Sequence, residues 1–141
     1  MKKIKFILLS VFAVMFLFSC SSDDNGGSID TQKLLGKWYF YSVTENGVEH
    51  LYENDCDDSR DYLNFKSNSF VDNIIYEYDE TYFMCISYND PASYTISGKR
   101  IFIIYEGETG EEELIWDITT LNDNSLIVKE LDGTTVKLTR N

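Results

Sequence analysis

Between Trp38 and Arg140 apolar and polar residues alternate in short runs, and turn-forming residues break the runs roughly every ten positions, the rhythm of strands joined by hairpins. Leu63 and Phe65 fall on one face of such a run, Tyr94 and Ile96 on another. Leu114, Trp116 and Ile118 follow, then Leu126 with Val128, and Val136 with Leu138. Phe70, Ile74, Tyr76 and Tyr78 make a row interrupted by Asp72, and Tyr82, Met84, Ile86 and Tyr88 make the next. A period of two belongs to a sheet with one buried face, since successive side chains of a strand point to opposite sides. The spacing predicts strands over 37–44, 47–52, 61–66, 69–78, 81–88, 92–96, 100–106, 111–120, 124–130 and 134–140. Asn46-Gly47, Ser97-Gly98, Gly107 to Gly110 and Asp132-Gly133 mark turns. One short helix is expected over Ser28–Leu35, capped by Asp30 or Ser28 and ended by Gly36.

Consecutive hairpins with short connections imply an antiparallel up-and-down meander, and about eight to ten such strands curl until their edges meet. A two-sheet sandwich satisfies the same pattern. No helix alternates with the strands, which excludes a parallel α/β sheet. The fold class is all-β.

The first twenty residues have a different character. Lys2, Lys3 and Lys5 precede an apolar run from Phe6 to Phe18 broken only by Ser10. That run is short for a bilayer span and lies where a secretion signal lies. Cys20, directly behind it with a small residue before, resembles the lipobox of bacterial lipoproteins. The resemblance implies cleavage before Cys20 and acylation of its sulfur; an ordinary signal peptide or an N-terminal anchor helix is the alternative. Two or more acyl chains hold a protein to a membrane stably, one only marginally. Residues 1–19 are thus expected to be a lipoprotein signal peptide, residues 20–28 a flexible tether of small polar residues, and residues 29–141 the folded domain. Asp23-Asp24 resembles the acidic export signal of Bacteroidota-type lipoproteins, which implies a lipid-anchored protein of the bacterial outer membrane, exposed at the cell surface.

Removal of residues 1–19 leaves nine basic against 24 acidic residues, a net charge of −15. Nucleic acid and anionic headgroups would be repelled, whereas cations, basic proteins and neutral ligands are admitted. With Cys20 committed to lipid, Cys56 and Cys85 remain, and two cysteines in an exported domain are expected to pair. Their disulfide would close a loop of roughly thirty residues, worth about 3 kcal/mol. Two thiols and a sole histidine, His50, give no basis for a metal centre, and no cofactor is expected.

Gly36-Lys37-Trp38 after the short helix, with Arg140 late in the last strand, resembles the first signature of the lipocalin/calycin barrels. Cys56 ahead of Leu63-x-Phe65, Cys85, Tyr94-Thr95-Ile96-Ser97-Gly98 and the stretch Ile118 to Leu126 are similar to the small lipocalin-like lipoproteins of Bacteroidota. The resemblance runs from about Leu34 to Arg140. It implies an eight-stranded barrel whose base is plugged by Trp38, with Arg140 stacked on that ring as a cation–π contact. It also implies binding of a small apolar molecule, and neither an established ligand nor an enzymatic activity.

Asp55, Asp57, Ser59 and Asp61 have the alternating spacing of a calcium loop, but Arg60 stands where an EF-hand requires Gly and Lys66 where it requires Glu. A solvated acidic loop is expected there, and a charged hairpin tip at Glu111-Glu112-Glu113. His50 has no nucleophile turn near it, and no carboxylate pair stands out among so many, so a non-enzymatic protein is expected. Ten Tyr, and five Phe outside the signal, suit a pocket for an amphipathic molecule. The candidate inward lining is Phe40, Phe65, Tyr76, Met84, Tyr94, Trp116 and Val128. An eight-stranded barrel is just wide enough to hold one small ligand or to be filled by its own side chains. The rival function is an acidic protein-interaction module that meets a basic partner, as lysozyme-inhibiting lipoproteins do. A monomer is expected in either case.

Overall fold

A computed structural model describes residues 27–107 and 110–141. The expected signal peptide, Cys20 and most of the tether lie outside the described residues. A single helical turn, α1 (Thr31–Leu34), precedes nine strands: β1 (Gly36–Glu45), β2 (Val48–Leu51), β3 (Tyr62–Phe65), β4 (Phe70–Asp79), β5 (Met84–Ser97), β6 (Arg100–Gly107), β7 (Gly110–Leu121), β8 (Ser125–Lys129) and β9 (Thr135–Thr139). Every pairing is antiparallel, and β1–β9 pairing closes the sheet into a barrel. β3 pairs with Gly36–Tyr39 and β2 with Ser42–Glu45 of the same strand, so the two share one place in the wall. Nine strands thereby occupy eight places, and no sandwich forms.

The expected helix is shorter than its sequence span. Asp30 caps it by accepting from the Gln32 amide at 3.1 Å, and Leu35 already returns to extended backbone. The expected strands 81–88 and 92–96 are one strand, β5, despite Pro91. β6 pairs with β5 only from Ala92 onward, so Pro91 sits on a free edge, where the missing amide hydrogen breaks no ladder bond.

Inward residues of the lower barrel form one continuous core. Leu34, Trp38, Leu63, Phe65, Ile103 and Leu138 are all fully buried or nearly so. In β4 the inward face is the opposite of the one expected. Val71 is buried while Phe70 is 51% exposed, because Phe65 pairs with Val71 and Leu63 with Asn73. Both parities of this strand carry apolar residues (Val71 and Ile75 against Phe70 and Ile74), so alternation alone could not choose a face.

Two hairpins rise past the closed wall. Among the described residues, Ile75–Asp79 pairs only with β5, and Met84–Pro91 only with β4. Glu106 and Gly107 likewise lie beyond the β5–β6 ladder, and β8 pairs with β7 only from Asp117 onward. A disulfide between Cys56 and Cys85, with Cα atoms 6.1 Å apart, ties the first arm to the loop between β2 and β3.

Candidate functional site

The two ends of the barrel are built on opposite terms. At the base, α1 lies under the barrel and the Trp38 indole donates to the Leu34 carbonyl at 2.7 Å. The Arg140 guanidinium stacks 4.0 Å from the Trp38 ring centroid and donates to the carbonyls of Lys33 (2.6 Å) and Leu35 (2.9 Å). These are the last carbonyls of the helical turn, which lack partners within it. Gly36 has φ +99°, and a Cβ there would lie 2.9 Å from the Arg140 Nη1 atom. Glycine is thus favoured by its backbone angle, and any side chain there would also push the Arg140 guanidinium aside. Tyr94 seals the same end: its ring meets Phe65 edge-on at 5.1 Å, and its hydroxyl donates to the Lys66 carbonyl.

The other end is open and partly polar. By strand alternation and register, the side chains that face it are Phe40, Asn73, Tyr105, Leu114 and Glu130. Phe40, Tyr105 and Leu114 are half-buried and pack on top of the core. Asn73 follows Val71 on the inner face, and its Oδ1 is buried without a hydrogen-bond partner among the described residues. The phenol of Tyr105 is pushed up to about 12, first by burial and second by the nearby Asp90 carboxylate. The Trp116 indole, buried in the core below, donates to Glu130 at 3.0 Å.

The candidate lining residues therefore separate into three groups. Phe65, Tyr94, Trp116 and Val128 lie in the packed core, and Phe40 stands at the mouth, where it stacks on Tyr52 with centroids 4.9 Å apart. Tyr76 is on the outer wall beside Lys37, Tyr39, Arg60 and Tyr62, and Met84 is 53% exposed on the projecting arm. Neither faces the barrel interior: the β4 register turns Tyr76 outward, and β5 has left the wall before it reaches Met84. Alternation continued from Ile101 and Ile103 would have pointed to Tyr105, and from Leu126 and Val128 to Glu130. Nothing in the sequence marked Asn73.

Asp61 of the acidic loop turns inward rather than toward an ion. It is 4% exposed and accepts from the Tyr52 hydroxyl at 2.7 Å and the Tyr76 amide at 2.8 Å. That contact and burial raise the Tyr52 phenol, burial being the larger cause. Among the described residues no cluster of three or more His, Cys, Asp and Glu side chains could hold a metal ion.

Several basic side chains are engaged on the outer surface. Lys37 lies over Tyr62, Arg60 over Tyr39 and Lys137 over Tyr41 on the outer wall. Lys33, Lys66 and Arg100 pair with Asp123, Asp72 and Asp117.

The family model of the lipocalin-like domain matches residues 34–128. The chain belongs to the lipocalin-like domain family. A lipocalin-like protein from Bacteroides uniformis ATCC 8492 shares its fold with a TM-score of 0.57 at 17% identity, over 77% of this chain and 99% of that one. An uncharacterized protein from Bacteroides eggerthii DSM 20697 gives 0.53 at 13% identity, over 76% and 98%. At such identities the likeness concerns the fold alone. No curated protein matches the chain. In this lipocalin-like domain the lower barrel is filled by its own side chains, which leaves the mouth as the place where a guest could sit.

Proposed function

We propose that this lipocalin-like domain is a non-enzymatic carrier, tethered through an acylated Cys20 to the bacterial outer membrane, that holds one small amphipathic molecule in the barrel mouth. The observation that carries this reading is the Asn73 side chain, a buried acceptor without a partner among the described residues, on the same inward face that Phe40, Tyr105 and Leu114 line on other strands. A buried, unsatisfied acceptor costs about 1–3 kcal/mol, a cost that a ligand hydroxyl, amide or amine proton would remove. The apolar body of the ligand would rest on Trp116 and Leu114. Anchoring is supported by the sequence of residues 1–20, and the exclusion of nucleic acid by the net charge of −15 that removal of residues 1–19 would leave.

Trp116 provides the reporter. Dodecanol and dodecylamine should change its fluorescence on titration, and Trp116→Phe should abolish the response. Asn73→Leu should weaken binding at least about tenfold while leaving the unliganded fold as stable as before or slightly more so, since an orphan polar group has been removed. Failure of every probe to bind, or an Asn73→Leu variant with unchanged affinity, refutes the proposal.

A further inference from the structure

The arm made by the β4–β5 hairpin carries an exposed apolar surface that the barrel does not use. Tyr78, Tyr82, Phe83, Met84 and Tyr88 are all exposed, Tyr82 at 72% and Phe83 at 80%. Met84 and Tyr88 share one face of this two-stranded ribbon and Tyr78 lies on the other, with Tyr82 and Phe83 in the turn between the strands. Exposed apolar side chains gathered on one hairpin mark a contact site, because isolated exposed residues are common and clusters are not. The arm is also fixed in shape. Asp79 Oδ1 accepts from the amides of Thr81 and Tyr82, and the disulfide of Cys85 to Cys56 anchors its second strand. A rigid aromatic surface loses little side-chain entropy when a partner covers it.

Charge indicates what the partner is. From Ser67 to Gly98 the chain holds Asp72, Glu77, Asp79, Glu80 and Asp90 and no Lys, Arg or His. The neighbouring stretch, from Ile101 to Val128, likewise has no basic residue in its sequence, and the described ends of β6 and β7 carry Glu106 and Glu111 to Glu113. Lys99 and Arg100 are the only cations between Lys66 and Lys129. They lie in the turn at the opposite end of these hairpins, where Arg100 is already paired with Asp117. A second copy of the same chain would meet like charge, and so would an anionic bilayer.

We propose that the β4–β5 arm, with the acidic residues Glu106 and Glu111 to Glu113 on the adjoining strands β6 and β7, is a docking surface for a basic polypeptide that presents apolar side chains between its cationic ones. Tyr82 and Phe83 are its anchor contacts, and the acidic residues around them steer the encounter and set its salt dependence. This surface lies outside the barrel mouth and does not depend on any small ligand bound there.

The test immobilises the full-length chain through a C-terminal tag, which leaves from the base. Three synthetic peptides are then passed over it: one of alternating Lys and Leu, one of Lys and Ser, one of Glu and Leu. The Lys–Leu peptide should bind, the Lys–Ser peptide at least about tenfold more weakly, and the Glu–Leu peptide not at all, with affinity falling steeply as salt rises. A Tyr82→Ser/Phe83→Ser variant, altered only at exposed positions, should keep its fold by circular dichroism and lose about tenfold or more in affinity for the Lys–Leu peptide. It should still take up dodecanol at the mouth, so this proposal and the carrier reading fail separately. Equal binding of the Lys–Leu and Lys–Ser peptides, or undiminished binding by the variant, overturns the proposal. So does binding of the chain to phosphatidylcholine vesicles that the variant loses, because the arm would then be a membrane contact.

Discussion

The base and the open end of this barrel are made from the same strands and differ in how completely their polar groups are matched. At the base, one guanidinium serves two helix carbonyls and a tryptophan face, and the indole and the Tyr94 hydroxyl each find a carbonyl. At the open end, two hairpins outrun their neighbours, five large apolar side chains face solvent, and Asn73 keeps an unmatched acceptor. One end is closed by matched polar groups, and the other leaves apolar side chains exposed. Loops and edges at the rim of a rigid scaffold are where binding groups collect, and the base is what makes the scaffold rigid.

The comparison can be broken most severely at the base. Trp38→Ala removes a fully buried ring together with the Arg140 stack and the Leu34 hydrogen bond, and should cost about 3–5 kcal/mol in denaturant melts. An effect below about 1 kcal/mol would mean the base is not the keystone of the fold. Replacing both Cys56 and Cys85 with Ser should cost about 3 kcal/mol by releasing a constraint across 29 residues of sequence. Because this link lies at the open end, hydrogen exchange should quicken in the β4–β5 arm and remain slow around Trp38.

Gly36→Ala tests the base more finely. A methyl group at φ +99°, facing Arg140, should cost about 1–3 kcal/mol and displace the guanidinium from the Trp38 ring, visible as a change in tryptophan fluorescence. The smallest effect belongs to the mouth and appears only in alkali. Tyr105 in the folded chain loses its proton near 12, against about 10 when unfolded. A phenol raised in this way supports folding fully below about pH 10, and stability then declines as pH rises through about 12. Tyr105→Phe should flatten that alkaline decline in melts followed by circular dichroism; an unchanged decline would show that Tyr105 is not buried at the mouth as described.

Legibility in the sequence followed the same division. Gly36, Trp38 and Arg140 could be picked out because each is an unusual residue at a fixed place relative to the first and last strands. The rows ending in Trp116, Val128 and Leu138 alternate cleanly, and all of those residues are buried. The β4 row could not be assigned a face, since apolar residues occupy both parities there. Tyr76 was expected inside for that reason, and Met84 from the alternating row that follows it; both lie outside. Pairing with β3 decides the first, and the point where β5 parts from β6 decides the second.

By itself the sequence determined an all-β meander. It also determined a strong negative charge and one cysteine pair in the folded domain. These are properties of local pattern and composition, which need no knowledge of neighbours. Tertiary structure alone decided that β2 and β3 share one place in the wall, that the buried Asn73 acceptor has no partner among the described residues, and that two hairpins project past the barrel. Each depends on where a ladder of hydrogen bonds stops, and that is set by the strand alongside rather than by the residues of the strand itself.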